Sequence, residues 1–179
     1  SVRAKLAPSL EARPATKPKD PAILDQYELL IEQTLLTGRV QEAFELYWYG
    51  TGGFMNLGVV LGEHTRGLRI LERFVAGEGF SRIEPRLPSP DRCRLVNALG
   101  LFAKNLGDLA RARMAFSHCR RLDAAASDPK NESADAGNLA DVELHAGRFR
   151  AALEYSDSAV SLATEAKAEE GTEFSLAYR

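Results

Sequence analysis

The property that most limits what this chain can fold into is that it repeats itself. Setting Gly107 against Gly147, 40 residues further on, brings Leu99 onto Leu139, Leu109 onto Phe149, Ala112 onto Ala152 and Cys119 onto Ala159. The strings "LGLFAKNLGDLARARMAFSHC" and "LADVELHAGRFRAALEYSDSA" then share one plan: a helical run, a short turn with one glycine, and a second helical run. Gly38 fits the same frame, with Leu30 on Leu99, Val40 on Leu109, Ala43 on Ala112 and Tyr47 on Phe116. A lone helical hairpin cannot bury its apolar face, so such units must stack. Gly107 and Gly147 are expected to end helices in the left-handed conformation. Ala112 and Ala152 are expected where helices cross closely, with Leu99 and Phe116 filling the space within a pair.

The rest of the chain agrees. From Ala22 onward "AILDQYELLIEQTLLTG" and "VQEAFELYWY" place apolar residues at helical spacings, and no segment alternates apolar with polar residues for long. The expected fold class is all-α, built from antiparallel helix hairpins at about 22–50, 54–76, 92–124 and 133–165, with the start of a further helix at 172–179. Residues 1–20, with Pro8, Pro14 and Pro18, read as a linker or extended arm, because proline removes donors and keeps the preceding residue out of the helical region. "FMNLGVVLG" reads as a short helix and "HTRGLRILERFV" as a longer one, with Gly58, Gly62 and Gly67 permitting close contacts. "GEGFSRIEPRLPSPDRC" reads as a loop, kept out of helix by Pro85, Pro88 and Pro90.

These hairpins resemble tetratricopeptide repeats, best in Val96, Leu99, Gly100, Ala103, Gly107, Ala112 and Phe116. The first hairpin offers Tyr27, Leu30, Ile31, Thr34, Gly38, Ala43 and Tyr47, and the last Ala136, Leu139, Ala140, Glu143, Gly147, Ala152 and Ser156. Thr34, Ala103 and Glu143 stand where the pattern has an aromatic, and the closing proline is missing. The family step is about 34 residues, so a 40-residue step implies an insertion, expected at "SDPKNE", residues 127 to 132. The resemblance implies a right-handed superhelical stack, an α-solenoid, whose first helices line a groove for a peptide. Matched by repeat, the groove positions are Glu28 and Glu32 (with Asp25) from the first hairpin. The third contributes Arg94, Asn97, Leu101, Lys104 and Asn105, and the fourth Asn138, Asp141 and His145. The acidic first set departs from the all-basic carboxylate clamp of chaperone-binding relatives.

Catalytic and metal chemistry finds no foothold in the motifs. "GTGG" lacks the lysine of a phosphate-binding loop and follows a helix rather than a strand. It reads as a joint between helices. Tyr47, Trp48 and Tyr49 are consecutive, so on a helix they diverge and cannot form one stacking platform. Tyr47 is expected in the core and Trp48 as a contact residue. His64, His118 and His145 form no ligand cluster, His118 and Cys119 point apart on a helix, and no serine has the glycines of a nucleophile elbow. Glu169 and Glu170 read as a solvated face. No catalytic residue, metal or cofactor is expected.

Lys and Arg total 23 against 25 Asp and Glu, a net charge of −2, which argues against nucleic acid and anionic membrane as partners. Two cysteines, Cys93 and Cys119, are too few for a disulfide framework and suit a reducing cytoplasm. Phe174, Leu176 and Ala177 begin a helix without completing a hairpin. That end is expected to continue in a longer protein, or to be capped by a second copy of the chain or by a partner. The expected function is a non-catalytic scaffold that binds another protein or a peptide. The alternative is a ligand-sensing module of a larger signal-transducing NTPase, since the region from Phe44 through the last repeats is also similar to the helical sensor regions of bacterial enzymes of that kind.

Overall fold

The computed structural model describes residue 10, residues 13 to 75, residue 80 and residues 86 to 166. The helix expected at 172–179, Glu169, Glu170 and Pro85 lie outside the described residues. Among those described the chain is helical, with no β-strand. It divides into two compact units, Ser1–Phe102 and Ala103–Arg179.

The first unit opens with α1 (Pro21–Leu36), which the sequence starts twice over: Pro21 occupies the first turn, and the Asp20 carboxylate accepts from Ala22 N at 2.8 Å. α1 ends at Gly38 in the left-handed region (φ 78°), and α2 (Val40–Glu45) follows. At Leu46–Thr51 the helix widens to π geometry, and Gly52 N donates to the Tyr47 carbonyl five residues back. Gly52 and Gly53, both at positive φ, turn the chain. A second π segment, Met55–Val60, replaces the ordinary short helix expected of "FMNLGVVLG". α3 (His64–Glu72) completes this region.

α3 and the residue that caps it set Arg66, Arg69 and Arg73 at spacings of three and four, on one side of the helix. They meet the acidic residues of α1. Arg69 grips Glu28 through two bonds, Nε–Oε1 at 2.5 Å and Nη2–Oε2 at 2.7 Å. Arg66 reaches Asp25 at 2.5 Å and Glu28 at 3.3 Å, and Arg73 pairs with Glu32. Beneath this, Leu24, Tyr27, Ile31, Phe44, Tyr47, Leu57, Ile70 and Leu71 form the core.

α4 (Ser89–Asn105) begins inside the stretch expected as loop, with Pro90 in its first turn, where a missing N–H costs nothing. It contributes Leu95, Leu99 and Phe102 to the core of the first unit, and the unit boundary falls within it. Phe102 lies against two glycines, as a Cβ at Gly67 would stand 2.2 Å from its Cζ and one at Gly58 3.3 Å from its Cε1.

In the second unit, α5 (Leu109–Ala125), α6 (Pro129–His145) and α7 (Phe149–Glu165) each have 17 residues. α4 is also 17 residues long. Successive helices therefore start 20 residues apart, at 89, 109, 129 and 149. The insertion expected at residues 127 to 132 is not there: α6 starts at Pro129, and the longer step is spread evenly over long helices. Each joint is the same six-residue turn. Gly107 N donates to Lys104 O and Asp108 N to Ala103 O; the pattern recurs at Ser127 and Asp128, at Gly147 and Arg148, and in the first unit at Gly38 and Arg39. The residue at its left-handed position is glycine in three of the four turns and Ser127 (φ 54°) in the fourth. Ala112 and Ala152 are buried.

Candidate functional site

The aromatic run and the double glycine meet the predicted groove residues of α4. A cavity of about 370 Å³ is lined by Trp48, Gly52, Gly53, Phe54, Met55, Arg94, Asn97, Ala98 and Leu101, all within the first unit. That volume lies at the small end of ligand pockets, enough for one or two side chains. Its wall is made by the widened helix and its joint. Trp48, half-buried, stacks on Phe44 with centroids 5.8 Å apart and planes 18° from parallel. Tyr47, edge-on to Trp48 at 6.4 Å, is wholly buried, and burial pushes its phenol pKa up. Phe54 packs edge-on against Phe102 at 5.0 Å. π segments interrupt a helix at a cost and recur at functional sites.

Polar groups at the cavity come from α4. The Arg94 guanidinium lies 5.8 Å from the Trp48 ring centroid, within cation–π range. Asp91 takes its Nη1 at 3.0 Å. Asn97 Oδ1 is buried without a hydrogen-bond partner among the described residues. An unmet amide oxygen is costly, and rotation of the amide can offer either a donor or an acceptor to an incoming group.

Arg94, Asn97 and Leu101, three of the predicted groove residues, thus come together around one cavity. Glu28 and Glu32 do not join them; both are engaged by the arginines of α3 and the residue that follows it. In the second unit Lys104 pairs with Asp141, and His145 Nδ1 lies 3.1 Å from Asp141 Oδ1. Asn138 is half-buried and Asn105 exposed. Gly52, Gly53, Phe54 and Met55 were not among the predicted site residues. Their signal was present in the sequence as an unusual density of aromatic residues and glycine, but periodicity alone reads such a stretch as a joint.

Two further charged clusters lie in the second unit. Glu143, fully buried, meets Arg113 Nε at 2.6 Å and Arg148 Nε. The hydrogen bond from Arg148, helped by the charge of Arg113 and opposed by burial, holds its carboxyl below the usual range. Asp135, also buried, shows the reverse: burial, then a hydrogen bond with Asp123, pushes its carboxyl up to about 9. Burial thus favours the protonated form of Asp135. No group of three or more metal-binding side chains occurs among the described residues, and no helix among them is long and apolar enough to cross a membrane. No protein-family model matches the chain, and no significant match occurs among curated proteins.

Proposed function

We propose that this chain is a tetratricopeptide-like helical repeat protein of the cytoplasm that binds a segment of another protein without catalysis, anchoring an apolar side chain of that segment in the Trp48 pocket. The observation that carries the reading is the composition of that pocket. Its walls are aromatic and aliphatic, and its polar groups are a guanidinium and an amide with an unmet oxygen. Such a site can grip a side chain and bond a main chain, and among the described residues its lining offers aromatic, aliphatic, amide and guanidinium groups. The even 20-residue step and the recurring turn support the repeat assignment.

The test uses Trp48, the sole tryptophan. Peptides selected from a random library against the full chain should shift its emission on binding. Leu101→Trp fills the pocket and should abolish the binding of those peptides, measured calorimetrically. Unchanged affinity for the filled variant would move the site elsewhere. A second reading, the ligand-sensing module of a larger signal-transducing NTPase, is favoured by one observation: the pocket wall is itself the double-glycine joint, so occupancy and backbone conformation are linked there.

A further inference from the structure

We propose that residues 13 to 20 form a strap that holds the double-glycine joint in the shape that makes the Trp48 pocket, so that docking of the strap governs the pocket's readiness to bind. The functional half of this inference rests on the reading of the pocket as the binding site; the mechanical half does not.

The strap is fixed to the joint at several places. Arg13 lies 4.0 Å over the Tyr49 ring and 4.0 Å from Glu45 Oε2. Lys17 Nζ donates to the Tyr49 carbonyl at 2.7 Å and to Pro14 O at 3.2 Å. Asn56 Nδ2 donates both to Pro18 O at 2.9 Å and to Thr51 O at 2.8 Å, tying the strap to the end of the first π segment. The last carbonyls of a helix need partners from outside it, and here Lys17 and Asn56 supply them for Tyr49 and Thr51. The fit is close. A Cβ on Gly52 would stand 3.1 Å from Lys17 Cγ and 2.7 Å from Asn56 Cβ. Gly52 thus touches the strap while it and its neighbours Gly53, Phe54 and Met55 line the pocket.

The attachment is suited to release. Its bonds are polar, part-buried, and long in sequence, at separations of 32 and 38 positions. Pro14 and Pro18 restrict the backbone of the segment, which lowers the entropy lost on docking. A polar, stiffened segment of this kind can leave without unfolding the core beneath it. Once it leaves, the Tyr49 carbonyl loses its donor, and Asn56 loses one of the two acceptors that fix it. The double-glycine turn then keeps only its local bonds, Gly53 N to Thr51 Oγ1 at 3.3 Å, Asn56 N to Gly52 O at 3.2 Å and Asn56 Nδ2 to Thr51 O at 2.8 Å, and loses its ties to the segment before α1.

The test is Lys17→Met with Asn56→Ala in the full chain, read three ways against the wild type. Methionine keeps an apolar stem over Gly52 and removes only the ammonium. Hydrogen exchange of the amides of residues 50 to 56 is expected to quicken roughly tenfold, the loss of about one charge-assisted hydrogen bond, while exchange in α7 is unchanged. Trp48 emission is expected to shift to the red. Titration with N-acetylphenylalaninamide, followed by Trp48 emission, is expected to show affinity weakened roughly fivefold to tenfold. A single Lys17→Met variant, which leaves Asn56 in the core, guards against general destabilisation and should show the same changes in part. Unchanged exchange and emission would overturn the strap. Quickened exchange with no binding of the amide to the wild type would leave the strap standing and defeat the pocket as an apolar side-chain site. Quickened exchange with unchanged affinity would break the link between them and overturn the proposal.

Discussion

Gly67 and Phe102 occupy one another's space: a Cβ on the glycine would stand 2.2 Å from Cζ of the ring and 2.3 Å from Cε1. The glycine lies mid-helix in α3, where it weakens the helix relative to alanine by about 1 kcal/mol. The gain is the passage of a fully buried phenylalanine. Gly67→Ala should therefore destabilise the protein despite its better helix propensity, by about 2 to 3 kcal/mol, as overpacking does. Urea denaturation measures this. Phe102→Leu in the Gly67→Ala background should recover part of the loss, and additive losses instead would show that the two positions are not coupled.

Ser127 adopts φ 54° at the position that glycine holds in the other three turns of its kind. A side chain there costs about 1 kcal/mol. Ser127→Gly should raise stability by about that amount, seen as a rise in Tm. Gly107→Ala and Gly147→Ala should lower it by about 1 kcal/mol each, through backbone strain alone, since a Cβ at either meets nothing within 4 Å.

Asp135 makes stability depend on pH in an unusual direction. Its folded pKa, about 9, exceeds the unfolded value, which is about 3.9. The folded state therefore binds the extra proton between those limits, and the stability this group contributes is full below about pH 4 and is lost as pH rises toward 9. Asp135→Asn keeps a neutral hydrogen-bonding group. It should flatten the decline and be the more stable protein at pH 8, with little difference near pH 4. Thermal melts across that range decide it: parallel curves for the two proteins would place the proton elsewhere.

Glu143 works the other way. Its depressed folded pKa means that the ion pairs with Arg148 and Arg113 stabilise above the unfolded carboxylate range and are lost as pH falls through the lower folded value. Both arginines are half-exposed and can return to water when the carboxylate is removed. Glu143→Gln should thus cost about 2 kcal/mol at pH 7, less than breaking a wholly buried pair, and the deficit should shrink on acidification. A deficit that stays constant down to acid pH would assign the loss to packing instead.

Much of this architecture could be read from the residues because it is periodic. Gly38, Gly107 and Gly147 mark helix ends through a backbone requirement that few other residues meet, and Ala112 and Ala152 are buried, as small residues on an apolar face are expected to be. Ser127 hid the fourth turn, because a serine carries no signal for positive φ. With that turn unseen, the 40-residue repeat looked like an enlarged shorter one, and the surplus was assigned to "SDPKNE". Pro90 misled for a related reason, since a proline that forbids a helix interior is welcome in its first turn.

The pocket was legible only in part. Arg94, Asn97 and Leu101 lie on a regular helix, where spacing fixes which residues share a face. Gly52, Gly53, Phe54 and Met55 lie on a joint between two π segments, where the angular step per residue departs from 100° and face assignment by counting fails. The partners of Glu28, Arg66 and Arg69, lie about forty residues away, beyond what local pattern reveals.

The constant stride of the helices of the second unit, from Leu109 to Glu165, has a consequence for how such a chain can change length. Each turn reverses the chain's direction, so loss or gain of one 20-residue stride would leave every later helix running backwards relative to its former neighbours. Loss or gain of two strides restores polarity, presents the same turn chemistry at the splice, and asks no helix to be redesigned. Growth and shrinkage in this part of the chain are thereby quantised in pairs.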